Sequence, residues 1–236
     1  MIIKYKWLII SLLLIIFSNS VLLSQNTEDS STLKSSREKD SISNFNNKFQ
    51  KLVFFDYRGT NVFEAALGSS TLVGGVDNTE QSFYFKFGYK RSILDNLYLG
   101  LSFNSFNLSY GDISQDFTSI DFNIEFLALP YDKFSPFIYA GFGYNSLSDS
   151  DFNSVKIQSG FGFEYIVADK FGVKLFGEYN YSLEDDMQFI INDKENDSFL
   201  RIGFGVNLYF GGTKEKDRRL EEIPTLIKTN SILQDN

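Results

Sequence analysis

The chain of 236 residues contains no cysteine and no histidine. A disulfide framework is therefore excluded, and so is any thiolate or imidazole metal site. No Ser-His or Cys-His nucleophile pair can exist. No residue is available to carry a bacterial lipoprotein anchor. Positive charge is also scarce: 22 Lys and Arg face 30 Asp and Glu, for a formal net charge of −8. No basic stripe offsets that balance, which argues against nucleic acid as a partner. Beyond the N-terminus no segment is apolar over about 18 residues, so only a β-barrel could take this chain across a membrane.

Aromatic residues are abundant, with 26 Phe and 13 Tyr against one Trp, and that excess favours strands. The N-terminus has the layout of a secretory signal. Lys4 and Lys6 precede an apolar run from Trp7 to Phe17, and Ser18, Ser20 and Ser24 supply small residues for cleavage after Ser20 or Ser24. The alternative is an uncleaved anchor helix, for which the run is short. Residues 1–24 are thus expected to be a signal peptide and 25–60 a periplasmic linker, polar and disordered through Asn47. Within it Lys51–Tyr57 (KLVFFDY) is a compact apolar patch. It is too short and uniform for a barrel strand, and either packs on a barrel rim or pairs with a partner.

From Asn61 to Phe210 apolar and polar residues alternate. The clearest run is Ser198–Phe210: Leu200, Ile202, Phe204, Val206, Leu208 and Phe210 form one face, and Arg201, Gly203, Gly205, Asn207 and Tyr209 the other. A strict period of two is a strand. An unbroken apolar face opposite a small, polar one suits a barrel strand with lipid outside and a packed lumen inside. The same pattern covers Asn61–Gly68, Ser82–Lys90, Asn96–Ser109, Phe117–Leu129, Phe134–Asn145, Ser154–Ala168 and Lys170–Tyr181. Tight connections alternate with mostly longer, acidic ones. The expected fold is all-β: an eight-stranded antiparallel up-and-down transmembrane β-barrel over 61–210. It has a disordered N-terminal linker and a short C-terminal tail, 211–236. Both termini are expected in the periplasm, on the short-turn side.

The inward faces collect five acids, Glu64, Asp121, Glu125, Glu164 and Glu178, and five bases, Lys86, Lys90, Lys156, Lys174 and Arg201. An eight-stranded lumen is just wide enough for side chains to fill, so these charges are expected to pair into a plugging network. A narrow ion path through them is the alternative. Asp121 and Glu125, four residues apart on one strand, are too distant to share a proton directly. The Gly141-x-Gly143, Gly160-x-Gly162 and Gly203-x-Gly205 pairs open no helix, so they relieve lumen crowding and form no phosphate cradle. Loop acids at Asp149, Asp151 and Glu184–Asp186 could hold a hard cation, though solvated charge is the simpler account. No catalytic, cofactor or metal site is expected.

The stretches Pro136–Asn145 (PFIYAGFGYN), Gly160–Glu164 (GFGFE) and Arg201–Phe210 (RIGFGVNLYF) resemble the small outer-membrane β-barrel superfamily of Gram-negative bacteria, which includes the OmpA transmembrane barrel. The resemblance implies outer-membrane lipid as surroundings. It also implies the barrel-assembly machinery as a partner during insertion, read from the aromatic end of the last strand. That signal is internal here, since residues 211–236 follow. Strand Asn61–Gly68, Gly88–Arg91 and Pro224–Asn230 resemble the barrel module of curli-type secretion pores, implying a periplasmic or secretion-system partner. The expected role is non-enzymatic: structural, adhesive or partner-docking. The alternatives are a narrow channel for ions or small solutes and an accessory barrel of a secretion system.

Overall fold

The period of two becomes eight long strands: β1 Asn61–Val73, β2 Ser82–Leu94, β3 Leu97–Tyr110, β4 Ile113–Leu127, β5 Phe134–Leu147, β6 Asn153–Ala168, β7 Phe171–Ser182 and β8 Ser198–Phe210. This computed structural model describes residues 49–73, 79–110, 113–148, 153–183 and 198–221. The expected signal peptide, the polar linker before residue 49, the loop acids Asp149, Asp151 and Glu184–Asp186, and the tail beyond 221 lie outside the described residues.

The strands pair antiparallel in the order β3-β2-β1-β8-β7-β6-β5-β4, and β4 pairs back onto β3. The sheet is a closed ring, so no edge is left unpaired. Its closing seam joins the first and last strands in one unbroken register, from Asn61 opposite Phe210 to Val73 opposite Ser198.

Every strand buries one face and exposes the other. On β2, Tyr84, Lys86 and Lys90 are buried while Phe83, Phe85, Phe87 and Tyr89 are exposed. Such apolar rows around the whole outer wall are foreign to a soluble monomer, and here they form the lipid-facing belt. On β6 the belt runs from Val155 to Val167, roughly 30 Å of depth at about 3.3 Å per residue and a tilt near 40°.

Three strand ends depart from the sequence reading by four residues or more. β2 continues past Lys90 to Leu94, because Arg91, Ser92 and Leu94 still pair with β3. β1 continues past Gly68 to Val73, because Ser69, Ser70 and Thr71 go on pairing with β8. β4 starts at Ile113, before Phe117, because Ser114, Gln115 and Asp116 pair with β3. Hydroxyl and amide residues weakened the apolar alternation there without breaking the ladder. The β3–β4 connection is therefore only residues 111–112, as short as the opposite turns at Asp95–Asn96 and Asp169–Lys170. Lys170 closes its turn with a left-handed backbone, φ +61°.

The apolar patch is a helix, α1, over 49–57. The sequence treated it as part of a linker because it lacks a period of two. Its actual spacing is helical: Leu52 and Phe55 are three apart, Phe54 and Arg58 four apart, and all four are buried. The Arg58 amide donates to the Phe54 carbonyl at 2.7 Å and ends the helix. Gly59 then crosses the end of β8. A Cβ there would lie 2.5 Å from the Phe210 carbonyl oxygen, so only glycine fits. After β8, Gly211 and Gly212 turn with positive φ into α2, Thr213–Glu221. Both helices cover the short-turn end of the barrel.

The lumen network and its capped mouth

All ten charged residues expected in the lumen are buried there. They form two groups, with an eleventh, Arg58, joining at the short-turn mouth.

The first group centres on Glu64 of β1. Lys86 lies 3.0 Å from its Oε1 and Lys90 3.3 Å from its Oε2. Lys174 from β7 donates to the same Oε2. Lys90 also donates to Glu125 at 2.6 Å. Three ammonium groups thus converge on two carboxylates.

The second group lies nearer the long loops. Arg201 donates from Nε to Glu178 at 2.7 Å, and its terminal nitrogen reaches Asp121 at 2.8 Å. Lys156 donates to Asp121 at 3.0 Å and to Asn180 at 2.7 Å. Tyr139 donates to Glu178 at 2.9 Å, and Asn104 to Asp121 at 2.9 Å. The Arg201 guanidinium also stacks 4.9 Å from the Tyr84 ring centre. Beyond it Phe106, Phe117 and Phe199 are buried and stacked, with centroids 5.0 and 5.5 Å apart. Asp121 and Glu125 fall in separate groups, so they form no acid–base pair.

Glycines make this packing possible. A Cβ on Gly160 would lie 2.4 Å from the Tyr139 ring, and one on Gly143 would lie 2.2 Å from the Asp121 Oδ1. The glycine pairs therefore relieve crowding, as their spacing on the lumen face implied.

Glu164 of β6 faces the short-turn mouth. Asn207 donates to its Oε1 at 2.6 Å, and the Tyr209 hydroxyl donates to the same oxygen. Its other oxygen accepts Arg58 from Nε at 3.0 Å and from a terminal nitrogen at 2.9 Å. Arg58 completes its contacts on the carbonyls of Pro130 and Asp132, both at 2.8 Å. Burial opposes the Arg58 charge, but Glu164 beside it more than offsets this and holds its pKa above the ordinary value. Sequence reasoning missed Arg58 because it lies before the first strand, where alternation carries no information. The only available signal was a lone arginine next to a glycine at the end of an apolar run.

α2 straps α1 in place. Lys216 donates to Asp56 at 2.7 Å, and Arg219 reaches Asp95 at 2.7 and 2.9 Å and the Lys51 carbonyl at 3.2 Å. The Arg219 guanidinium lies 4.8 Å from the centre of the Phe55 ring. Nearby, Tyr131 in the β4–β5 turn donates to Asp95 at 3.0 Å. Burial first, then Asp95, pushes its pKa up to about 12. Among the described residues no cluster of three His, Cys, Asp or Glu could hold a metal ion.

No protein-family model matches the chain, and no curated protein matches it. Solved structures do. Neisserial surface protein A is 16% identical and superposes with a TM-score of 0.53, over 64% of this chain and 98% of that one. The N-terminal β-barrel domain of Pseudomonas aeruginosa OprF is 16% identical, with 64% and 99% covered and a TM-score of 0.42. Ail, the attachment invasion locus protein of Yersinia pestis, is 10% identical, with 64% and 99% covered and a TM-score of 0.39. At these identities the likeness is one of fold. Closed by β1 on β8, apolar outside and charged within, the chain has the fold of a small eight-stranded β-barrel and is similar in fold to Neisserial surface protein A.

Proposed function

We propose that this protein is a non-enzymatic, non-conducting outer-membrane scaffold with both termini in the periplasm. The observation that carries the reading is the mutual pairing of the lumen charges between two seals. Phe106, Phe117 and Phe199 lie at the long-loop end, and α1 with Arg58 lies at the other. An ion entering this lumen must break pairs whose charges are already out of water, and each uncompensated charge costs roughly several kcal/mol. The ten lumen residues are structural in this reading. They fix strand register and fill the interior.

Work is then left to the two ends. The outer loops supply surface interaction or adhesion. A periplasmic or secretion-system partner would meet the outer faces of α1 and α2, where Phe49 and Leu220 are exposed. The apolar side of 51–57 is not offered to a partner, because Leu52, Phe54 and Phe55 are buried on the barrel.

The test is conductance across planar bilayers with protein whose folding is verified by heat-modifiable migration on gels. Silent membranes are expected. Discrete conductance that changes when Lys174 or Glu178 is neutralised would overturn the scaffold reading and establish the channel.

A further inference from the structure

Helix α1 differs from the strands in how it is held. The strands are locked by a closed ladder, whereas α1 is bound only by side chains and by one end of its own chain. Its contacts are Leu52, Phe54 and Phe55 against the mouth, Arg58 on Glu164 and on the Pro130 and Asp132 carbonyls, Lys133 over the Tyr57 ring, and the strap from α2.

The charge count separates it further. Without Arg58 the barrel wall has five carboxylates and five cations. With Arg58 seated, the described interior holds six cations against five carboxylates. Arg58 is thus a guest in a lumen that is already balanced. Its carboxylate is not stranded when it leaves. Glu164 keeps the donors Asn207 and Tyr209 on one oxygen, and its other oxygen then faces the opened mouth. Glu64 keeps Lys86 and Lys174. The barrel loses one ion pair and the donor to the Pro130 and Asp132 carbonyls, groups that water entering the opened mouth can serve.

The strap is equally separable. Lys216–Asp56 lies at the surface, where salt screens it and it contributes about 1 kcal/mol or less; Arg219–Asp95 is half-buried and two-pronged, and is the firmer of the two.

We propose that the short-turn mouth is a binding site for an amphipathic helix ending in arginine, occupied by the chain's own residues 49–58, which leave and return as a unit while the barrel stays closed. The site reads three features: two apolar side chains three apart, a phenylalanine between them, and a guanidinium aimed at Glu164. The seat is acidic, formed by Glu164 with Tyr209 donating to it from behind. Occupied, it seals the lumen.

Hydrogen exchange on the full-length protein in lipid vesicles tests this. Amides of 53–58 should exchange through their own opening, well before the central amides of β1 and β8, and faster at high salt. Arg58→Ala should speed their exchange by roughly ten- to a hundredfold, the loss of a charge-assisted hydrogen bond. Barrel amides should be unchanged. Phe54→Ala, which keeps every charge, should act in the same direction on the same amides. If 53–58 exchange in step with the barrel in the unaltered protein, the helix is an integral part of the fold and the proposal falls. It falls equally if either variant speeds barrel and helix amides together.

Discussion

Arg58 and Glu164 are 106 residues apart in the chain and meet through two hydrogen bonds at 3.0 and 2.9 Å, with both side chains shut off from solvent. This pair joins a segment before the first strand to the short-turn end of the barrel wall. Around it the balance of lumen charge can be tested.

The Glu64 group carries more cations than carboxylates, so its members should not be equally important. Glu64→Gln leaves three ammonium groups facing Glu125 alone and is expected to lower stability by about 3–5 kcal/mol. Lys86→Met removes the surplus cation and keeps the side-chain volume. It is expected to cost less than about 1.5 kcal/mol, or to stabilise. Urea unfolding in vesicles, followed by the shift between folded and unfolded gel bands, measures both.

Arg201 serves Glu178 and Asp121 together and stacks on Tyr84. Arg201→Met leaves Glu178 with no ion pair and Asp121 with Lys156 alone, and a loss of about 3–5 kcal/mol is expected. Arg201→Lys keeps the charge but loses the planar fork and the stacking, so it should recover only part of that loss. The same unfolding measurement separates the three proteins.

Two glycines on neighbouring strands should respond in opposite ways to one added methyl group. Gly160→Ala drives a Cβ to 2.4 Å from the Tyr139 ring and should destabilise by roughly 1–3 kcal/mol. Gly177 faces outward, and a Cβ there meets nothing within 4 Å. Gly177→Ala should be neutral or gain up to about 1 kcal/mol from reduced freedom of the unfolded chain. Thermal shifts of the folded gel band would distinguish them.

Lys170 holds a left-handed backbone in a two-residue turn, and its carbonyl accepts the Tyr209 amide at 2.8 Å. Lys170→Gly removes the steric cost of that conformation, about 1 kcal/mol, while keeping the carbonyl in place. A higher unfolding temperature is expected.

The Tyr131 phenol is raised to about 12 by burial and by Asp95. An unfolded tyrosine ionises near 10, so the stabilisation from this proton is complete below about 10 and disappears as pH rises toward 12. Carbon NMR of labelled tyrosine should show one turn resonance titrating late, and Tyr131→Phe should remove that resonance.

The barrel was legible in the sequence because lipid and lumen make opposite demands on alternate residues. Leu200 through Phe210 could not be read otherwise. The inward charges were legible for the same reason: Glu64, Lys174 and Arg201 each interrupt a face at an odd position relative to apolar neighbours. Their pairing was not legible, since Lys174 meets Glu64 only through the closing seam between β7, β8 and β1. The outer ends of β1 and β4 were hidden because Ser69–Thr71 and Ser114–Asp116 pair through backbone groups that leave no mark on hydropathy. Arg58 and α1 lay outside the alternating region, where a short apolar run fits a helix, a strand or a linker equally.

The clasp between the two helices has a consequence for the order of assembly. α1 is tied to the first strand and α2 to the last, and these strands become neighbours only when Asn61 comes opposite Phe210. Until then Lys216 cannot find Asp56, nor Arg219 the Lys51 carbonyl. A half-zipped sheet therefore cannot be clasped, and its charged interior stays open to water. The clasp acts as a seal of completion, formed only on a barrel whose first and last strands have already met.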